Sequence, residues 1–544
     1  MLRTDLHNWF RKSDSGLYEL YAEGEPYALG QSIGRLSREL IVQQEDYFSE
    51  QILKMIPSRS YLHFLKYLIR WFNRNLFRYV PDEYLQEIRG VSEFASEDYG
   101  YIGDKYGRIL NYHAAHDIGH ALQNLALVGC SSFGTWGSRS ENGRMIVGRN
   151  FDFYVGDNFA KNKIVAFIKP QKGHAFMSVT WGGFMGVVSG MNDQGLTVTI
   201  NAAKSSIPLS SATPVSLVAR EILQYASNIS EAYAIAGKRK MFVSESFLVG
   251  SAVDGKAVLI EKTPKASRMY DPGEETILCT NHFQAAAPGR HVTADRQQEQ
   301  SASGYRYRRL RELLDAAGPN TAQKTAAILR DQRGIGGKNI GMGNEKAMNQ
   351  LIAHHSIIFE PLQRKVWVST APWQLGRYVC YDLDKMLSMR GRTDDAEMYE
   401  SAAEIGVDPF LNSPAFDSFE QFRAIRQEME MAPIQAQAGA TKARPGATAA
   451  LPGTTALPDA TAALPGTTAL PGATGANAAA DNLPDRLVAA NPEFYHAYVL
   501  AGDYVFKRKD YPRAKAFYEQ ALTKEIATAR EENHIRKQIK KCSA

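Results

Sequence analysis

Cysteine is scarce in this chain: four in 544 residues, Cys130, Cys279, Cys380 and Cys542, far apart and with no C-x-x-C pair. That excludes a disulfide-stapled scaffold and removes the usual ligand set of a structural zinc site, so each cysteine is read singly. A charge excess of one sign is also missing. Lys plus Arg is 63 and Asp plus Glu is 58, a net +5 that is too weak at this length for nucleic acid to be the main ligand. Nowhere do about eighteen apolar residues run uninterrupted by charge, and the opening MLRTDLHNWFRKSDSG has no apolar signal core. The expectation is a soluble chain with no integral membrane segment. Its compartment stays open: periplasmic or secreted if a signal was removed ahead of Met1, otherwise cytoplasmic.

What is present is ordinary globular composition, 44% hydrophobic and 22% charged, long enough for several domains. Composition shifts sharply in one place. Residues 431–484 are dominated by Ala, Pro, Gly and Thr, and ALPGTTALP occurs twice, from Ala450 and from Ala463. Such a segment cannot bury enough apolar surface to offset its ordering entropy and reads as a flexible linker. Beyond it, residues 485–544 carry small and apolar residues at helical spacing: Ala501, Tyr504 and Val505, then Ala514, Ala516, Phe517 and Ala521, with Pro512 opening the second run. These predict two short amphipathic helices that resemble a single tetratricopeptide repeat. One such unit rarely stands alone, so docking on the main body or pairing with a partner or a second copy is expected.

The first 129 residues read as mainly helical. In SYLHFLKYLIRWFNRNLFRYV, Leu65, Leu68, Phe72, Leu76 and Tyr79 line one face while Lys66, Arg70, Arg74 and Arg78 lie elsewhere. A core-facing helix with a cationic solvent face is preferred to a membrane-surface helix. From Cys130 to about Asp384 the texture changes to short β-type runs joined by turns such as Asn192-Asp-Gln-Gly195 and Asp254-Gly255. Two helical stretches interrupt them, VSLVAREILQYASNISEAYAIAG and YRYRRLRELLDAAG, which indicates stacked sheet and helix layers of α+β type. Residues 386–430 read as a helical extension.

Cys130 stands where these textures meet, in LVGCSSFGTWG. Taken alone, a buried structural cysteine outweighs a catalytic one. If the chain were cut between Gly129 and Cys130, however, the thiol would become the first residue of a new chain. Its α-amino group, with a pKa near 8, could then serve as base for its own thiol. Downstream, Arg149-Asn150-Phe151-Asp152 ends a β-run, so Arg149 and Phe151 share one face and Asn150 and Asp152 the other. Asp152 could hold the Cys130 ammonium, and Arg149 could lower the thiol pKa or orient a carboxylate.

The ordered series GCSSF, GRNFDF, GMNDQGLTVTIN, CTNHF and SGYRYRRL resembles the penicillin acyltransferase branch of the N-terminal nucleophile hydrolases, related to choloylglycine hydrolases and acid ceramidase-type amidases, over roughly residues 15–385. The resemblance implies a four-layer αββα fold with a helical pro-segment over 1–129, a catalytic domain over 130–385, and cleavage at Gly129-Cys130. It implies Cys130 as nucleophile, with Asp152 and Arg149 as the acidic and basic partners. It further implies that the Asn201 backbone N–H and the Asn281 side chain serve the oxyanion, and that Arg306 packs on the nucleophile site. Arg308 and Arg309 are the adjacent alternatives to Arg306. The implied activity is hydrolysis of linear amides, or acyl transfer, on a small-molecule amide or acyl substrate, with no cofactor and no metal.

Other features read as structural. His113, His116 and His120 share a helix face at H-x-x-H-x-x-x-H spacing, but only Asp117 stands by as a further ligand, so a polar face or pro-segment clamp is preferred. Asn192 reads as a turn cap. The glycine-rich GIGGKNIGMGN from Gly334 lacks the ending of a phosphate loop and reads as a connecting or substrate-facing loop. Two rival functions remain at this stage. One is a non-catalytic scaffold presenting the helical tail; the other is an unprocessed thiol hydrolase with His355 as base.

Overall fold

The computed structural model describes residues 2–55, 75–122, 129–154, 156, 158–203, 212–285, 301–392, 394–439 and 482–543. Two compact units are present, Met1–Leu411 and Asn412–Ala544.

The first unit is built on sixteen strands among the described residues: β1 Arg3–Asp5, β2 Asn8–Lys12, β3 Tyr18–Gly24, β4 Ser131–Gly137, β5 Gly143–Phe151, β6 Ile164–Pro170, β7 Phe176–Thr180, β8 Ser189–Asn192, β9 Leu196–Ala202, β10 Glu245–Ser251, β11 Lys256–Lys262, β12 Ser267–Tyr270, β13 Thr276–Cys279, β14 His355–Glu360, β15 Lys365–Ser369 and β16 Tyr378–Asp382. They form a ten-stranded sheet in the order β1-β2-β3-β6-β7-β8-β9-β10-β11-β12 and a six-stranded sheet in the order β13-β4-β5-β14-β15-β16.

Period-two alternation stacks these sheets. Along β5, Met145 and Val147 enter an apolar layer shared with Val165, Phe167, Met177, Val179 and Leu248 of the larger sheet. Ile146, between them, joins Leu310, Leu314, Ala326 and Leu329 of helices Ala302–Ala317 and Ala322–Leu329. Along β10, Leu248 faces the other sheet while Phe247 and Val249 join residues of helices Pro26–Leu36, Asp82–Ser92, Val215–Tyr225 and Ile229–Lys238. The order is therefore helix, sheet, sheet, helix, the αββα arrangement expected of an N-terminal nucleophile hydrolase fold.

The expectation of a mainly helical first 129 residues is corrected at its start, where residues 3–24 supply β1, β2 and β3. Their alternation is masked because both faces are buried: Trp9 and Tyr21 enter the layer between the sheets, and Phe10 and Leu20 the layer under the helices. Arg11 and Glu19 are buried with them, 3.6 Å apart. β3 then pairs in parallel with β6 from Tyr18↔Ile164 to Gly24↔Pro170. The long apolar pattern after Pro26 breaks at Ser37 into helices Pro26–Leu36 and Arg38–Met55. The cationic helix expected around residues 60–80 falls largely outside the described residues.

The stretch read as a helical extension is mostly irregular up to its helix Pro414–Gly439, which also runs past the expected start of the linker at 431. The ALPGTTALP repeats lie outside the described residues. In the second unit, helix Pro414–Gly439 is followed by helices Leu483–Ala490, Tyr495–Lys507, Tyr511–Ala521 and Ala529–Cys542, each packed on the one before. In the central pair, the Tyr518 ring lies where a Cβ on Gly502 would stand, and the Tyr518 hydroxyl donates to Asp503 at 2.6 Å. Ala501, Tyr504, Val505, Ala514 and Ala521 are buried as the spacing predicts, but Tyr518, not Phe517, is the buried aromatic of the second helix. No helix among the described residues is long and apolar enough to cross a membrane.

Candidate active site

Cys130 directly precedes β4, and its side chain is 1% exposed. Ser132 pairs with Arg149 of β5 on one side and Cys279 of β13 on the other, so the strand register carries Arg149 and Asn281 toward Cys130 from the two neighbours. Arg149 Nη2 lies 3.7 Å from Cys130 Sγ. The guanidinium reaches across to the larger sheet, donating to the Val188 carbonyl at 3.0 Å, to Ser189 Oγ and to the Ile200 carbonyl, and its Cζ stands 4.4 Å from the centre of the Phe151 ring. A buried cation held this firmly can direct one N–H at sulfur without rearranging.

The face assignment read from the sequence is what the structure shows for these neighbours. Arg149 enters the space between the sheets, whereas Asn150 turns outward and donates to the carbonyls of Leu329 and Met348 at 2.8 and 2.9 Å. Asp152 is fully buried, and neither of its carboxylate oxygens has a hydrogen-bond partner among the described residues. Burial raises its pKa to about 7 against the opposing charges of Arg306 and Arg149. Burial likewise pushes the Cys130 thiol up to about 11, countered by Arg149 and reinforced by the charges of Asp152 and Glu245. With the chain intact the thiol is therefore protonated, and Asp152 lacks a cationic hydrogen-bond donor.

Asn201 ties the two sheets together. Its Oδ1 accepts from Ser132 Oγ at 2.9 Å, and its Nδ2 donates to the Cys279 carbonyl at 3.3 Å. Asn281 Nδ2 donates to the Ala202 carbonyl at 2.8 Å, and its Oδ1 accepts from Arg306 Nη2. Arg306 also donates to the Glu345 carbonyl at 2.8 Å, so it fixes which way the Asn281 amide faces. Among the three adjacent arginines, Arg308 is exposed and Arg309 is engaged by Asp331 and Glu312; Arg306 is the one that turns inward.

Several residues of this cluster were not singled out from the sequence. Ser303 accepts from the Asn281 N–H at 2.7 Å, and Gln350 donates to the Gly129 carbonyl at 2.8 Å. Glu245 is buried with both carboxylate oxygens unpartnered among the described residues, and burial holds its pKa well above the ordinary value. Ser303 opens the SGYRYRRL motif and Gln350 lies just past the glycine-rich loop. Nothing local in the sequence distinguishes them from any polar loop residue.

The remaining histidines and Asn192 are placed structurally. His113 receives the Met185 N–H on Nε2 and meets the Ile109 carbonyl through Nδ1, both at 2.8 Å, which occupies both ring nitrogens. The side chains of His116 and His120 lie outside the described residues. His355 Nε2 meets Ser189 Oγ at 2.8 Å and its Nδ1 meets His354 Nδ1 at 2.9 Å, so Ser189 and Arg149 stand between that ring and Cys130. A direct Cys-His pair is not formed. Asn192 caps its own turn, accepting from the N–H groups of Gln194 and Leu196.

The four-layer αββα body is the fold that the sequence motifs imply, and a buried thiol stands at one strand end. Residues 138–371 match the family described as Acyl-coenzyme A:6-aminopenicillanic acid acyl-transferase, the family those motifs resemble. The matched segment starts after Cys130. An uncharacterized protein of Archaeoglobus fulgidus is 28% identical over 257 residues, which are 44% of this chain and 42% of that protein. The chain thus matches about two-fifths of the length of that curated relative. Among solved structures, the Caenorhabditis elegans N-acylethanolamine-hydrolyzing acid amidase ortholog is 17% identical with a TM-score of 0.32, covering 43% of this chain and 93% of that one. A mutant conjugated bile acid hydrolase from Clostridium perfringens is 13% identical with a TM-score of 0.33, covering 50% and 96%. Penicillin V acylase from Agrobacterium tumefaciens is 14% identical with a TM-score of 0.31, covering 47% and 87%.

Proposed function

We propose that the protein is an autoprocessing cysteine amidohydrolase or acyltransferase, cut at Gly129-Cys130 and acting on linear C–N amide bonds through an acyl group carried on Cys130. The observation that carries this reading is the buried trio of Cys130, Arg149 and Asp152, with a guanidinium 3.7 Å from the sulfur and a carboxylate lacking a hydrogen-bond partner beside it. Cutting the chain supplies what Asp152 lacks, an α-ammonium on Cys130. That group, with an ordinary pKa near 8, releases a proton readily enough to take one from the thiol at neutral pH. Arg149 favours the thiolate that results.

Attack on an amide carbonyl by sulfur places negative charge on oxygen. Asn281 is suited to meet it because its amide donates without titrating, and Arg306 fixes the amide's direction. The Asn201 side chain is committed to Ser132 and Cys279 and its backbone pairs with Ser246 of β10, so its contribution is to keep β4 and β13 in register and not to donate to the oxyanion, as the motif resemblance had implied.

The test is a panel of penicillins, bile-salt conjugates and N-acyl amino acids given to the purified protein, with released amine as readout. Turnover of at least one class that vanishes in Cys130→Ala supports the reading. Equal turnover in Cys130→Ala contradicts it.

A further inference from the structure

Two groups hold Gly129, the Asp152 backbone and a side chain, that of Gln350, which has no part assigned above in substrate turnover. The Gly129 N–H donates to the Asp152 carbonyl at 3.0 Å. The Gly129 carbonyl accepts from Gln350 Nε2 at 2.8 Å, and Gln350 is 3% exposed. Gln350 is itself fixed by the turn around it: the Asn349 N–H donates to the Asp331 carbonyl at 2.8 Å, and Asn349 Oδ1 receives the Leu351 N–H at 3.0 Å. A Cβ on Gly129 would overlap the Gln350 amide, so a larger residue there displaces this donor. The Asn281 amide, by contrast, gives one N–H to the Ala202 carbonyl and does not donate to Gly129.

We infer that Gln350 is a catalytic residue of chain cutting, donating from Nε2 to the oxyanion that forms on the Gly129 carbonyl oxygen. This rests on the reading that the chain is cut at Gly129-Cys130. In the step, the Cys130 sulfur bonds to the Gly129 carbonyl carbon, and the π electron pair moves to the oxygen that Gln350 already holds. Collapse of the oxyanion breaks the C–N bond as the thiol proton passes to the departing Cys130 nitrogen, leaving a thioester. One water then attacks the thioester, expels the Cys130 sulfur as the thiol and leaves Gly129 with a free carboxylate. A preplaced donor acts here because its bond to a developing negative oxygen is stronger than its bond to a neutral carbonyl. The cut and the later turnover thus use different amide donors, Gln350 for the chain's own peptide and Asn281 for the substrate.

The full chain is made by pulsed cell-free synthesis as wild type, Gln350→Ala and Gln350→Glu, and cutting is followed on denaturing gels. Loss of one oxyanion donor slows such a step about 100-fold or more, and that is the expected result for Gln350→Ala. Equal rates in wild type and Gln350→Ala overturn the inference while leaving the proposed function intact. A wild-type chain that stays whole removes both. If Gln350→Ala loses its cooperative melt, Gln350→Glu decides. A protonated carboxyl donates in place of the amide, so the cutting rate of Gln350→Glu relative to wild type rises as pH falls from 8 to 5. A flat ratio overturns the inference.

Discussion

Burial opposes charge at each ionisable group around Cys130, and the neighbours decide how far it succeeds. Asp152 is the clearest case. With the chain whole, its carboxyl is raised to about 7 from 3.8, so between these values the folded state holds a proton that the unfolded state has released. Stability therefore falls as pH rises across that window, by up to about 1.4 kcal/mol per pH unit. An asparagine there carries no such loss. In the Cys130→Ala chain, which stays whole, adding Asp152→Asn should give a urea-unfolding advantage that widens from pH 4 to pH 7; parallel profiles contradict the assignment. Asn281 belongs to the same scale. Because its amide is turned to Ala202 and not to Gly129, Asn281→Ala should be cut at the wild-type rate while its turnover of amide substrate drops about 100-fold. Slowed cutting in that variant would contradict the division between the two donors.

At the level of elements, the pairing of β3 with β6 has a direct consequence for the cut chain. Seven parallel register pairs, from Tyr18↔Ile164 to Gly24↔Pro170, join a strand ahead of Gly129 to one behind it. Trp9 and Tyr21, fully buried between the sheets, add to that hold. The two chains should co-elute from a sizing column in native buffer and separate only in denaturant; a large chain free of its pro-segment in native buffer contradicts this.

The same elements show what a sequence can reveal. β5 is legible because one of its faces meets a sheet and the other meets helices, and its polar end follows that alternation, with Arg149 turned to the larger sheet and Asn150 to the helical side. β2 and β3 were not, because both faces are buried and the buried pair Arg11 and Glu19 reads on paper as solvent-facing charge. Gln350 was illegible for a different reason. It follows Gly129 by 221 positions, and the segment that carries it is tied to β5 through the Asn150 bond to the Met348 carbonyl. Asn281 and Arg306 lay between these cases, since short motifs marked them but their hydrogen bond to each other could not be read from the sequence.

For the whole molecule, the layers distinguish the thiol proposed to react from the other three. Cys279 is buried within the layer between the sheets and Cys380 in the layer under the outer helices, while Cys542 ends the last helix of the second unit. Cys130 alone stands at a strand end with a guanidinium on its sulfur and the preceding carbonyl held by an amide. The central claim is that this arrangement cuts its own chain and leaves Cys130 as a new first residue. Intact-mass measurement of the denatured wild-type protein, read beside Cys130→Ala, tests it most directly. The account predicts two wild-type masses, one ending at Gly129 and one beginning at Cys130, and a single full-length mass for Cys130→Ala. A wild-type protein that shows only the full-length mass while hydrolysing amides would contradict it.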